Sequence, residues 1–334
     1  MLGKVLKATS RSFYQTLSVL PSAVRRQISL AYLLARTTDT IADTEIVPAA
    51  QRREALQKLR ERIIGHTYRP LLFGDLAQRQ GTPAERLLLE RVEDSLGMLK
   101  KFSEDDQKLI RAVLVTITGG QERDLERFEN ASSERIIALE TPADLDDYTY
   151  RVAGCVGEFW TKICRAHLFP RLRVDEEQFI IDGIRFGKGL QLVNILRDLP
   201  ADLKAGRCYL PRQRLEAAKL LPETLFSPAN EKSFRRLYLE YLDKAEAHLR
   251  AGWKYTNTLP FGQVRVRLAC AWPILIGMRT IERMRTAEVI QLRQRLKVSR
   301  PEVRGIILRS LVSYPLPRVW QGQLPPAGKQ LHRA

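Results

Sequence analysis

Apolar residues recur three and four positions apart along nearly the whole chain, and runs that alternate polar with β-branched residues are almost absent, so the pattern predicts helices rather than strands. Helices are expected over 22–44, 50–64, 82–100, 104–130, 142–168, 175–200, 231–257, 264–286 and 301–312. The breaks fall at Pro48, Pro70, Pro83, Pro142, Pro170, Pro211 and Pro260, where proline removes a donor and restricts its predecessor. No Gly/Ser/Pro-rich linker and no internal repeat divides the 334 residues. The expectation is one all-α domain over residues 1–315, a helical bundle around a central cavity, followed by a polar, disordered tail over 316–334.

Two of these apolar stretches carry acidic pairs at helical spacing. Arg36-Thr-Thr-Asp39-Thr-Ile-Ala-Asp43 places Asp39 and Asp43 four residues apart, and Asn194-Ile-Leu-Arg197-Asp198-Leu-Pro-Ala-Asp202 repeats the arrangement with Asp198 and Asp202. Residues at i and i+4 lie one above the other on a helix, so each segment offers two carboxylates to one side. Four carboxylates on one cavity would repel, and divalent cations relieve that. Hard oxygen ligands without His or Cys nearby favour magnesium, which shares its shell with phosphate oxygens. Arg36 and Arg197 can pair with carboxylate or fork onto phosphate. The residues thus point to two acidic helix faces that clamp a diphosphate through metal, with Asn194 placed to orient a ligand or its water.

At this point the chain resembles the squalene and phytoene synthases, which join two prenyl diphosphates head to head. The likeness is carried by Ser10-Arg-Ser-Phe13, by Tyr32 through Asp43, by Tyr148-Thr-Tyr-Arg-Val-Ala-Gly-Cys-Val-Gly157, and by Gln191 through Asp202 continuing into Gly206-Arg-Cys-Tyr-Leu-Pro211. The resemblance implies the isoprenoid-synthase helical fold, Mg2+ on Asp39, Asp43, Asp198 and Asp202, and a catalytic Tyr148. It implies substrate contacts from Ser10, Phe13, Tyr32, Arg36, Gln191, Asn194, Arg197 and Arg207. The segments Leu268 to Thr280 and Leu296 to Arg300 look more like squalene than phytoene synthases, which implies NADPH as a second cofactor, contacted by Arg11, Arg36, Lys297 and Arg300.

The implied activity is condensation of two farnesyl diphosphates to presqualene diphosphate, then reduction by NADPH to squalene. The alternatives are a phytoene-type or presqualene-diphosphate synthase that stops before reduction, and a catalytically silent isoprenoid-binding scaffold. Where the family usually has a further carboxylate before the last Asp of each acidic motif, this chain has Ala42 and Ala201. Pro200, between Asp198 and Asp202, is expected to kink its helix and redirect Asp202.

Composition adds two constraints. A hydrophobic content of 44% and a charged content of 28% fit a chain that buries a sizeable core. The net charge of +17 and pI near 10.0 call for an anionic partner, and the basic residues crowd the C-terminal third. No nucleic-acid recognition module is evident, whereas an anionic membrane surface suits an enzyme with a greasy product. No signal peptide and no stretch of about twenty apolar residues is present, so a cytoplasmic protein, peripheral to membrane, is expected. The four Cys show no metal-ligand spacing and read as small buried hydrophobes.

Overall fold

The computed structural model describes residues 17–80, 82–288, 292 and 296–324. Along the chain run α1 (Ser22–Ala42), α2 (Ala49–Ile64), α3 (Gly74–Gln78), α4 (Pro83–Glu90), α5 (Val92–Leu99) and α6 (Glu104–Arg127). After β1 (Ile137–Ala138) come α7 (Pro142–Thr149), a π-helical turn (Tyr150–Gly154), α8 (Cys155–His167) and α9 (Glu176–Lys204). Then follow β2 (Arg207–Cys208), α10 (Arg212–Ala217), α11 (Glu231–Thr258), α12 (Val264–Thr286), α13 (Arg300–Ser313) and α14 (Pro317–Gln321). The architecture is all-α, as the apolar periodicity predicts. Among the described residues no helix is long and apolar enough to cross a membrane.

Starts are set by local chemistry. Ser103, Thr141, Asp175 and Ser299 each accept a hydrogen bond from the backbone of the following helix, and Thr141 and Ser299 form reciprocal capping boxes with Asp144 and Glu302. Such caps satisfy donors that a helix N-terminus otherwise leaves open.

Burial divides into two apolar clusters. One gathers α1, α2, α6 and α8 around residues such as Leu34, Leu56, Leu114 and Ile163; the other gathers α9, α11 and α12 around Leu196, Leu242 and Ile274. Phe186 packs against both. All four cysteines are buried free thiols.

The α7–π–α8 rod crosses α9 at backbone contact. A Cβ on Gly157 would lie 2.0 Å from the Gly183 carbonyl oxygen, and one on Gly187 would lie 2.1 Å from that of Ala153. Only glycine permits this approach. The single helix expected over 142–168 is thus interrupted by one π turn that begins two residues after Tyr148, a device often found beside functional sites.

Three further expectations are corrected. The helix expected over 82–100 is two helices, because the backbone at Arg91 leaves helical geometry at φ −108°, ψ 16°. The helix expected to end at Pro200 runs through it to Lys204. Proline cannot donate to the carbonyl four residues back, and that carbonyl, on Leu196, instead accepts from the buried Tyr238 hydroxyl at 3.0 Å. Tyr238→Phe would strand it, and is expected to cost about 1–3 kcal/mol, measured as a shift in urea midpoint at unchanged slope.

The folded domain also continues past residue 315. Trp320 on α14 is 2% exposed, stacks on Trp253 at 5.2 Å and donates from Nε1 to Asn257 Oδ1 at 2.8 Å. The Arg267 guanidinium lies over the rings of Phe261, Tyr314 and Trp320. This aromatic and cation–π packing holds the segment that composition alone marks as a polar tail. Residues 325–334 of that expected tail lie outside the described residues.

Candidate active site

A cavity of about 310 Å³ opens where the two apolar clusters meet. α1 is buried nearly all round, and the stripe Tyr32, Arg36, Asp39 and Asp43, spaced by four, three and four residues, faces the cavity. From the opposite side α6 contributes Gln121 and Asp124, while Arg52 enters from α2. Tyr148 closes α7 at the π turn, and Arg207 and Tyr209 arrive on β2 and the residue after it.

The parallel pairing of β1 with β2 fixes that last strand: Ile137 N–H donates to the Gly206 carbonyl at 2.8 Å and Leu139 N–H to that of Cys208 at 3.0 Å. Gly206 takes φ +78°, and a Cβ there would lie 2.4 Å from the Ser132 nitrogen. A side chain at this position is excluded both by backbone conformation and by space.

The carboxylates sit in an environment that resists their charge. Asp39 accepts from Gln121 Nε2 at 2.6 Å and lies 3.7 Å from Arg36. Burial, reinforced by the charge of Asp43, pushes its pKa up to about 6. Its side chain keeps 45% of its surface open, so the group is deep in the protein yet wetted by the cavity. Burial also raises Asp43. Asp124, which accepts from the Tyr209 hydroxyl at 2.9 Å, is pushed by burial up to about 6.

Cationic side chains line the same space. Burial lowers Arg52, which donates to the Ala42 carbonyl at 2.6 Å. Burial opposes the charge of Arg207 too, but Tyr209, Asp124, Glu45 and Asp43 around it outweigh that and hold its pKa above the ordinary value. Arg207 pairs with Glu45 at 3.2 Å. Asp39 and Asp43 supply hard oxygen donors one helical turn apart, both raised in pKa by their surroundings yet open to the cavity, which is the donor chemistry magnesium takes. Among the described residues no three acidic, His or Cys side chains come close enough to hold a metal ion unaided. A cation here would complete its shell with water and phosphate oxygens.

Tyr148 stacks on Tyr209 with ring centroids 4.5 Å apart. Its hydroxyl hydrogen-bonds with Tyr209 and Gln191, and burial, then the charge of Asp124, raises its pKa well above the ordinary phenol value. The line Gln191, Tyr148, Tyr209, Asp124 therefore joins α9 to α6 across the cavity wall.

Of the residues expected from sequence, Tyr32, Arg36, Asp39, Asp43, Tyr148 and Arg207 are brought together, and Gln191 reaches them through Tyr148. Asn194 lies beside Gln191 at 3.5 Å. The second acidic pair is not among the lining residues: Asp198 is held by Arg197 through contacts of 2.9 and 2.5 Å, and Asp202 is near enough to Tyr148 and Tyr209 for its charge to raise both. The Lys297 carbonyl accepts from Arg283 and Arg300 begins α13; neither residue lines the cavity. Ser10, Arg11 and Phe13 lie outside the described residues.

Sequence reasoning missed Arg52, Gln121, Asp124 and Tyr209. Gln121 and Asp124 carry a signal in their i,i+3 spacing within α6, and Tyr209 lies two residues after Arg207 in the segment Gly206 to Pro211.

Comparison with known proteins places this geometry in context. The family model described as squalene/phytoene synthase matches residues 6–302. The chain is 30% identical over 283 residues to a bifunctional lycopene cyclase/phytoene synthase of Blakeslea trispora, covering 82% of this chain and 43% of that protein, so it spans less than half of that relative's length. It is 28% identical over 258 residues to a presqualene diphosphate synthase of Sinorhizobium fredii, covering 77% of this chain and 78% of that protein. The structure of TcSQS with a bound ligand superposes with a TM-score of 0.75 at 22% identity, over 92% of this chain and 84% of that one, a likeness of fold.

Proposed function

We propose, given that the chain belongs to the squalene/phytoene synthase family, that it condenses two farnesyl diphosphates head to head to presqualene diphosphate. The observation that carries this reading is the one cavity wall on which Asp39 and Asp43 stand beside Arg36, Arg52 and Arg207. Guanidinium groups fork onto phosphate oxygens, and the carboxylate pair is suited to magnesium. The remaining lining includes Ile117, Leu125, Phe128, Val152 and Val156, an apolar surface for a prenyl chain.

Magnesium held by Asp39 and Asp43 would supply positive charge against a departing diphosphate. Arg36, Arg52 and Arg207 bind and orient the diphosphate oxygens and take up charge as the bond to carbon breaks. The apolar wall keeps water from the allylic cation that remains, and rings such as Phe128 and Tyr148 present π-faces to it. The double bond of the second prenyl diphosphate is then the nucleophile at hand. Closing the cyclopropane releases a proton from the carbon that lost the diphosphate, and the departed diphosphate is the base that takes it. Tyr148 stands where its hydroxyl can donate a hydrogen bond to those oxygens. In this reading Asp198 and Asp202, on the same helix as Asn194 and Arg197, would hold magnesium for the second diphosphate.

The similarity to a presqualene diphosphate synthase over most of both chains supports farnesyl diphosphate as the substrate. Reduction by NADPH to squalene would rest on Arg11, which lies outside the described residues, on Arg36, and on Lys297 and Arg300, which do not line the cavity, so the condensation is the proposed activity.

The test is incubation of the purified full chain with farnesyl diphosphate and magnesium, with and without NADPH, and mass spectrometry of the lipids. Presqualene diphosphate under both conditions is the expected result. Squalene appearing only with NADPH would extend the reaction by the reductive step. Turnover of geranylgeranyl diphosphate in its place would move the protein to the phytoene branch, and diphosphate release from neither substrate would sink the enzymatic reading.

A further inference from the structure

Two groups stand out among the described basic residues of the C-terminal third. Arg279 and Arg283 pair with Glu302, and Arg285 pairs with Asp243 and Glu246, so these charges are spent inside the fold. Arg300, Arg304, Arg309 and Arg318 are exposed and make no ion pair with a described residue. Between residues 300 and 324 the one acidic residue is Glu302, already engaged by Ser299, Arg279 and Arg283.

The same segment holds an exposed apolar ridge. Of the twelve large apolar side chains exposed among the described residues, five fall between 308 and 319: Leu308, Leu311, Val312, Leu316 and Val319, each 46 to 66% accessible. Positions 304, 308, 311 and 312 lie on one face of α13, which places Leu308, Leu311 and Val312 in a row with Arg304 at its end and Arg300 and Arg309 along its flanks. Phe261, 54% exposed, stacks on Tyr314 directly after α13 at 5.1 Å. Clustering of this kind, rimmed by charge, marks an interaction surface.

Charge decides among occupants. A second copy of the chain in twofold contact would set unpaired arginines against the same arginines. The residues after 324 add Lys329 and Arg333 and no acid, so they bring the same sign. An anionic lipid surface supplies phosphates for the arginines and an acyl boundary for the ridge.

We propose that the exposed face of α13 and α14 is the surface by which this protein docks on an anionic lipid bilayer, with Leu308, Leu311 and Val312 entering the headgroup–acyl boundary and Arg300, Arg304, Arg309 and Arg318 meeting lipid phosphates. The inference rests on the condensation reading only for its purpose, the release of an amphiphilic product with long apolar chains. Binding itself needs no turnover.

The full chain is sedimented, without substrate, with phosphatidylcholine vesicles and with vesicles containing about one-third phosphatidylglycerol. Binding to the anionic vesicles alone is expected, with Leu308→Glu/Val312→Glu lowering the partition about tenfold or more and Arg304→Glu/Arg309→Glu doing the same. Leu72→Glu, at a side chain 91% exposed elsewhere, is expected to bind as the wild type. All three variants should keep the wild-type melting temperature and turn over soluble substrate. The proposal is overturned if the wild type ignores anionic vesicles, if Leu308→Glu/Val312→Glu binds them undiminished, or if the ridge variant instead converts a dimer to monomers with no change in lipid binding. Loss of the condensation activity with vesicle binding intact would overturn the enzymatic reading and leave this one standing.

Discussion

Asp39→Asn is expected to lower turnover of farnesyl diphosphate about a thousandfold, equivalent to about 4 kcal/mol of transition-state stabilisation, while making the metal-free protein more stable. The substitution is isosteric, and an amide oxygen can still accept from Gln121, which now bonds Asp39 at 2.6 Å. What disappears is the charge that would hold the cation. That charge is also what the fold tolerates least, since burial and Asp43 raise Asp39 to about 6 against an ordinary 3.8.

The sign of the pH dependence follows. Between 3.8 and about 6 the folded protein binds more protons at Asp39 than the unfolded chain does, so this residue's contribution to stability rises as the pH falls from 7 through 6 and is complete below 3.8. In chelator, the wild-type denaturation midpoint should therefore gain more than that of Asp39→Asn as pH is lowered from about 7 to about 5. Other carboxylates titrate in both proteins, so the difference between them isolates Asp39. Magnesium at neutral pH should stabilise the wild type and leave the variant nearly unchanged. A variant that kept more than about a tenth of wild-type turnover would remove Asp39 from the machinery.

The acidic stripe of α1 was legible in the sequence because it is written within one helix: residues 32, 36, 39 and 43 need only the 3.6-residue period to share a face. Its partners were not. Gln121 meets Asp39 across 82 positions and Tyr209 meets Asp124 across 85, and no local period encodes a meeting between α1, α6 and a two-residue strand. The same limit explains Pro200, where a local rule predicts the end of the helix but a phenol 38 residues on takes the orphaned carbonyl and the helix continues. Trp320 was hidden for a related reason. Its neighbours in sequence mix prolines and polar residues with scattered apolar ones, and its burial depends on Trp253, Asn257 and Arg267, which arrive from α11 and α12.

The tyrosine pair gives the second large effect. Tyr148→Phe is expected to reduce turnover about a hundredfold with little change in stability. The ring that stacks on Tyr209 at 4.5 Å remains, and only the hydroxyl shared with Gln191 and Tyr209 is lost. Burial and the charges of Asp124 and Asp202 hold that phenol protonated far above neutrality, so in the proposed reaction it acts as a neutral donor and not as a phenolate. Tyr209 stands behind it, donating to Asp124, so Tyr148 meets the reacting groups through a line of hydrogen bonds anchored on a carboxylate. Two readouts separate this role from simple packing. The wild-type pH–rate profile should show no alkaline limb from a phenol near its ordinary pKa of about 10, and Tyr148→Phe should lower kcat with KM for farnesyl diphosphate nearly unchanged. A rise in KM at constant kcat would make Tyr148 a wall of the prenyl pocket, and the hydrogen-bond assistance to the departing diphosphate would then come from Arg36, Arg52 and Arg207 alone.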